Sequence, residues 1–173
     1  MASLPPSTSL PSGISILTTK IIEAASAEEQ DALGVIVDQL GSLSAEAQGI
    51  QIPMTSIAKL TGDQHLYMMC DDTSQAKGFL KVGTKHLYHY NKKGVVTEID
   101  PVCVLDFYVH QSCQRQGIGR RLLDTMLESE GQHIKSLAWD KPTDKSLALL
   151  RKHYNLSAFV PQPNNYVVFD DFF

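Results

Sequence analysis

The sequence predicts an α/β domain built on a mixed, mostly antiparallel central sheet flanked by helices. Three observations carry this. The segment Val102 to Val109, VCVLDFYV, leads through an amphipathic stretch to a second apolar run, and a strand–helix–strand crossover makes two such strands parallel. Upstream, short β-branched and aromatic runs alternate with Asp, Asn and Gly turns, as in antiparallel hairpins. Before them, a Ser-x-x-Glu sequence opens a helix whose apolar residues recur three and four apart.

Residues 1–13 are rich in Ser and Pro and lack a charged stretch followed by an apolar one. They read as a flexible start rather than a signal peptide, leaving one folded domain over residues 14–173. Ile14 to Thr18 is a first strand. Ser26 and Glu29 form a capping box, and Leu33, Ile36, Val37 and Leu40 give the buried stripe of a helix through Leu40. Gly41 punctuates it, Ser44 to Gln48 restarts a short helix, and Pro53 ends that. His65 to Cys70, Gly78 to Val82, His86 to Tyr90 and Val95 to Glu98 are short strands, the last two a hairpin. Val102 to Val109 is the central strand. Gly117 to Glu130 is a helix buried through Leu122, Leu123, Met126 and Leu127. Ile134 to Trp139 is the parallel partner strand, Pro142-Thr143 opens a last helix, and Asn164 to Phe173 ends as a strand.

The 173 residues, 43% of them hydrophobic, suffice for one core without disulfides or metals. A net charge of -4 argues against a general nucleic-acid binder. Three cysteines without a CxxC pair exclude a disulfide framework and a structural zinc site, and fit a reducing intracellular compartment. No run of about 18 apolar residues suggests a membrane span.

The most informative segment is Gln114-Arg115-Gln116-Gly117-Ile118-Gly119-Arg120, between the apolar strand and the helix. The first N–H groups of a helix lack internal partners and carry the positive end of its dipole. A pyrophosphate accepts from them, and glycines allow its close approach. A dinucleotide fingerprint wants a third glycine where Leu122 stands, and a Walker loop wants GK[ST], which is absent. What remains, Q-x-x-G-x-G, resembles the coenzyme A pyrophosphate turn of the GNAT acetyltransferases; solvated arginines on a flexible helix start are the bland alternative.

Pro101 to His110, Gln114-x-x-Gly117-x-Gly119-Arg120, Leu137-Ala-Trp-Asp140-Lys-Pro142, Lys152 to Leu156, Val160 to Phe173 and Asp38 to Gln48 together resemble the α-tubulin N-acetyltransferases. The matches run from about residue 38 to 173. The resemblance implies the GNAT fold for the domain. It implies acetyl transfer from acetyl-CoA to one lysine of α-tubulin in microtubules, by a monomer of the cytoplasm and cytoskeleton, the cilium or flagellum included. It implies that Cys103 and Asp140 support catalysis and that Gln48 lines the site. Acetyl-CoA is expected along Phe107, Tyr108, Val109, His110, Gln114, Arg115, Gln116, Gly117, Ile118, Gly119 and Arg120, and along Thr143, Lys145 and Lys152. No metal, nucleic acid or membrane is implied.

Read residue by residue, Asp140 ends a strand at the sheet edge where α/β domains bind ligands, as a base or an amine-positioning group; a turn aspartate is the bland reading. Cys103 within an apolar strand is a small buried hydrophobe or a proton acceptor lining the lysine channel. Alternation sets Asp106 on the face opposite Cys103 and Leu105, paired to an arginine. Lys81, Lys85, Lys92 and Lys93 form a basic cluster around the hairpin. Phe172 and Phe173 are expected docked in the core or the cofactor cleft. Two alternatives stand beside the tubulin reading: the same chemistry on another protein lysine or a small amine, and a non-catalytic module binding coenzyme A or microtubules.

Overall fold

The computed structural model describes residues 10–173; residues 1–9 of the expected flexible start lie outside them. Leu10 is already buried against the first long helix, and strand β1 is Gly13–Leu17. A helix absent from the sequence reading, α1 (Thr19–Ala24), follows. Helix α2 (Ala27–Gln48) is closed at its start by the expected capping box, Ser26 and Glu29 each bonding the other's backbone N–H.

This helix corrects the expected break. It runs unbroken through Gly41, burying Leu33, Ile36, Val37, Leu40, Gly41, Ser44 and Ala45 as one stripe, and it ends at Gly49. Gly41 is there for proximity: a Cβ on it would lie 1.8 Å from the Thr55 carbonyl oxygen. The glycine lets the connection after α2 fold back onto the helix.

The strands are β2 (Gln64–Cys70), β3 (Ala76–Thr84), β4 (Leu87–Tyr90), β5 (Val96–Ile99), β6 (Val102–Val109), β7 (Leu137–Asp140) and β8 (Tyr166–Val168). Helix α3 (Ile118–Glu130) joins β6 to β7, and α4 (Asp144–Tyr154) follows β7. Among the described residues one six-stranded sheet has the order β1-β2-β3-β6-β7-β8, while β4 and β5 form a separate hairpin. Every pairing is antiparallel except β6 with β7, as the crossover predicts. Two expected strands are shortened: residues 134–136 form a turn of 3-10 helix before β7, and only residues 166–168 of the C-terminal stretch pair as a strand.

The sheet buries both faces. Leu122, Leu123 and Met126 of α3 and Leu150 of α4 pack on one face; Leu33, Ile36, Val37 and Leu40 of α2 pack on the other. A third cluster, Leu87, Cys103, Leu105, Ala138 and Val168, sits beneath the hairpin. Phe172 packs at the edge of that cluster, whereas Phe173 is 65% exposed and lies against His89, outside any core. No helix among the described residues is long and apolar enough to cross a membrane.

One irregularity re-aims the central strand. Opposite β3, Lys81 faces Asp106 and Val82 faces Val104, so Leu105 is an extra, bulged residue. The bulge turns Leu105 and Asp106 to the same side as Cys103, correcting the expectation from simple alternation. Val104, Phe107 and Val109 keep the α3 side.

Candidate active site

The site begins where two parallel strands part. β6 and β7 pair only from Val102–Leu137 to Val104–Trp139, although β6 continues to Val109. The open edge beyond Val104 has backbone groups without a strand partner. Val109 shows their direction: its carbonyl accepts from Gln114 Nε2 at 2.9 Å. N–H and C=O of one strand residue point the same way, so the Val109 and Phe107 N–H groups also face the gap. The gap is narrow and is lined by Gln48, Asp106, Phe107, Asp140 and Thr143 among others. A wider groove of about 660 Å³, walled by Leu147, Phe159 and Tyr166, meets it at Lys141 and Pro142.

Beside the gap, with Gly119 against Phe107 of its lining, stands the start of α3. Gly117 caps it in a left-handed conformation, φ 79°, with no side-chain hydrogen bond to the first N–H groups. Arg115 is also left-handed, φ 62°. Space around a Cβ on Gly117 is open to 4 Å, while one on Gly119 would come within 3.2 Å of Phe107 and Leu149. One glycine therefore leaves room for a ligand, and the other seats the helix against β6 and α4. Arg115, Gln116, Arg120 and Arg121 are exposed around this turn; Arg120 reaches Asp124 at 3.4 Å, and Gln116 donates to the Ser112 carbonyl. Ile118 is buried. Lys145 at the start of α4 donates to Gln114 Oε1 at 3.1 Å, tying the two helix starts together. The donor set, uncapped amides ringed by guanidinium groups, fits a diphosphate.

Not every expected contact residue reaches the gap. The Tyr108 side chain lies on the α2 face against Phe79. His110 is buried, its ring bonded to Ser112. Thr143 does line the gap, but its hydroxyl is engaged in capping α4, accepting from Ser146 N at 3.2 Å. Lys152 is exposed in the last turn of α4, two turns beyond Lys145.

Asp140 lines the gap itself, half-buried at the tip of β7. Burial raises its carboxyl above the usual range, against attraction from Lys141, Lys81 and Lys85 and a hydrogen bond with Tyr166, its partner across β8. Cys103 is 0% exposed, packs with Leu105 and Ala138 beneath the hairpin, and donates to the Pro101 carbonyl. Burial pushes its thiol up to about 12. Gln48 joins the gap from the end of α2.

The sequence reading missed what holds Gln48. Asp106 binds no arginine; it accepts from Thr55 Oγ1 at 2.6 Å, Ser44 Oγ at 2.9 Å and Gln48 Nε2 at 3.2 Å. Lys81 is not part of a basic surface. It is 5% exposed and donates to the Met54 carbonyl at 2.6 Å, and burial lowers its ammonium pKa against the pull of Asp106. One signal was available: Ser44 lies one helical turn before Gln48, on the same face.

The family described as "GNAT acetyltransferase, Mec-17" matches residues 7–173, starting well before Asp38. The chain is 44% identical over 149 residues to an α-tubulin N-acetyltransferase of Tetrahymena thermophila, covering 86% of this chain and 37% of that protein. It is 42% identical over 166 residues to that of Aedes aegypti, covering 92% and 61%. The chain thus spans only about a third to three fifths of these relatives. In fold it resembles the xEco2 acetyltransferase domain bound to a CoA conjugate, at TM-score 0.57 and 13% identity over 84% of this chain and 89% of that one.

Proposed function

The chain belongs to the GNAT acetyltransferase family described as Mec-17, and from that premise we propose that it moves the acetyl group of acetyl-CoA to a lysine side chain of α-tubulin in microtubules. The observation that carries the reading is the juxtaposition of three parts: the uncapped start of α3 packed beside Phe107, the open edge of β6 to which Phe107 belongs, and Asp140 lining the same gap as Phe107. Its relatives of 44% and 42% identity carry that activity in their names.

The chemistry follows from the parts. Bound in the gap, acetyl-CoA supplies a thioester whose carbonyl carbon accepts the amine and whose thiolate leaves. The amides of residues 118–120 and the guanidinium groups of Arg115 and Arg121 hold its diphosphate. Phe107 and Val109 N–H groups face the place where the carbonyl oxygen gains charge, and such fixed donors are worth about 2.7–4 kcal/mol each in other enzymes. A lysine amine with pKa near 10.4 is neutral in roughly one molecule in a few thousand at pH 7, so a proton must be removed before attack. Asp140 takes it. Transfer is direct, within a complex of both substrates. Cys103 is fully buried and burial pushes its thiol up, both of which oppose a role as nucleophile or base.

The test is to incubate the protein with acetyl-CoA and polymerised tubulin and to map acetylated lysines by mass spectrometry. Acetylation confined to one α-tubulin lysine supports the reading. Acetyl-CoA binding without transfer to tubulin refutes the acceptor, and absence of acetyl-CoA binding refutes the whole assignment.

A further inference from the structure

We propose that Asp106 is a positioning residue. It fixes the Gln48 amide with its oxygen toward the gap, so that this oxygen and Asp140 together receive the N–H groups of the incoming amine. The inference rests on the lysine-acetyltransferase reading above and adds a second acceptor to it.

The argument is one of hydrogen-bond accounting. A carboxylate only accepts, so the atom of Gln48 that meets Asp106 Oδ1 at 3.2 Å must be the amide nitrogen. The same nitrogen lies 2.9 Å from Ser44 Oγ. That hydroxyl spends its own hydrogen on Asp106 Oδ1 at 2.9 Å, so it can only receive from Gln48. Both acceptors lie on the nitrogen side of the amide, so the nitrogen is held there. The amide oxygen is left for the gap, which Gln48 lines together with Asp140. Flipping the amide would set oxygen against carboxylate.

Asp106 is itself held still. Its other oxygen accepts from Thr55 at 2.6 Å, and Gly41 lets the Thr55 backbone press onto α2. Lys81 lies buried beside it with its ammonium bonded to Met54. The arrangement suits a primary amine. An ammonium offers three N–H groups, and one must be lost so that the lone pair can face the acetyl carbon. Two fixed acceptors direct the amine: Asp140 removes one proton, and Gln48 Oε1 holds an N–H that stays.

The test is a charge-exchange cycle in the full chain: Asp106→Asn, Gln48→Glu, and both together. Each single change lowers kcat/KM for polymerised tubulin by about ten- to a hundredfold, the loss expected when a buried polar group faces the wrong partner, with acetyl-CoA affinity unchanged. The double variant recovers most of the loss, because the amide introduced at 106 donates to the carboxylate introduced at 48, whose second oxygen still faces the gap. Losses that simply add, or wild-type kcat/KM in Asp106→Asn, overturn the proposal. A readout independent of turnover is hydrogen exchange of the Gln48 side-chain amide by NMR. It is slow in the unmodified protein and fast in Asp106→Asn; fast exchange in the unmodified protein overturns the lock. A slow amide in a protein that acetylates no lysine refutes the function proposed above and leaves the orientation of Gln48 standing.

Discussion

Replacing Gly117 by alanine separates strain from binding, because Gly131 supplies a matched control. Both residues flank α3, both are left-handed, with φ 79° and 61°, and neither would bring a Cβ within 4 Å of another residue. A side chain in that conformation costs about 1–2 kcal/mol. At about 2–4 °C per kcal/mol for a domain of this size, each variant should melt roughly 2–8 °C lower. The losses should be similar, since the backbone cost is the same and no clash is added. Affinity for acetyl-CoA should diverge. At Gly117 the new methyl group occupies the open space in front of the free amides and the bound diphosphate retreats. Losing one charge-assisted hydrogen bond, about 1.5–3 kcal/mol, weakens binding by about ten- to a hundredfold. Gly131, at the opposite end of the helix, leaves affinity unchanged. Calorimetric titration with acetyl-CoA and thermal melts of the three proteins make the comparison. Equal affinity in the Gly117 variant, or an equal loss in the Gly131 variant, would falsify the assignment of the turn to the diphosphate.

Other perturbations bear on the remaining parts. Asp140→Asn should lower kcat by orders of magnitude while acetyl-CoA affinity persists, measured by single-turnover acetylation and titration. Since burial raises the Asp140 carboxyl, the acid limb of kcat/KM should fall at a pH above the ordinary carboxylate value of about 4, and activity should be lost as pH drops through it. The stability sign is opposite. A carboxyl raised in the folded state penalises folding above its folded pKa and not below its unfolded one, so Asp140→Asn should melt slightly higher than the unmodified protein at pH 7, and the difference should vanish in acid. Gly41→Ala drives a methyl group into the Thr55 carbonyl and should cost about 1–3 kcal/mol of stability. It should also speed Gln48 amide exchange; unchanged exchange would separate the connection after α2 from the site.

Much of this was legible in the residues, and the gaps have identifiable causes. The order of strands, the parallel pair and the capping box on Ser26 are local signals, written in period and in turn chemistry. Gly41 misled because glycine carries two meanings. It breaks helices when exposed, and it admits a second backbone when buried; only the distance to Thr55 tells which applies. Asp106 misled because alternation assumes an unbroken ladder, and the bulge at Leu105 is set by β3, a partner some 20 residues away. Lys81 read as surface because lysine usually is; the carbonyl that makes its burial tolerable belongs to Met54, in the connection after α2. The glycine turn at the start of α3 was legible because sequence neighbours build it. The surroundings of Asp140 and Gln48 were legible only in part, because α2, β6 and β7 meet there from distant parts of the chain.

One physical cause separates the two candidates for the base. Burial disfavours the charged form of any acid, so it raises the pKa of Asp140 and Cys103 alike. The consequences are opposite because the starting points differ. A carboxyl begins about three units below neutrality, and raising it brings its basicity closer to what an amine proton requires. A thiol begins above neutrality, and pushing it to about 12 removes the thiolate from any working pH. Geometry points the same way: Asp140 is half-exposed in the lining of the gap beside charges that keep it ionisable, and Cys103 is sealed beneath the hairpin with its hydrogen on a backbone carbonyl. A base must meet the proton it removes, and of the two only Asp140 is placed to do so.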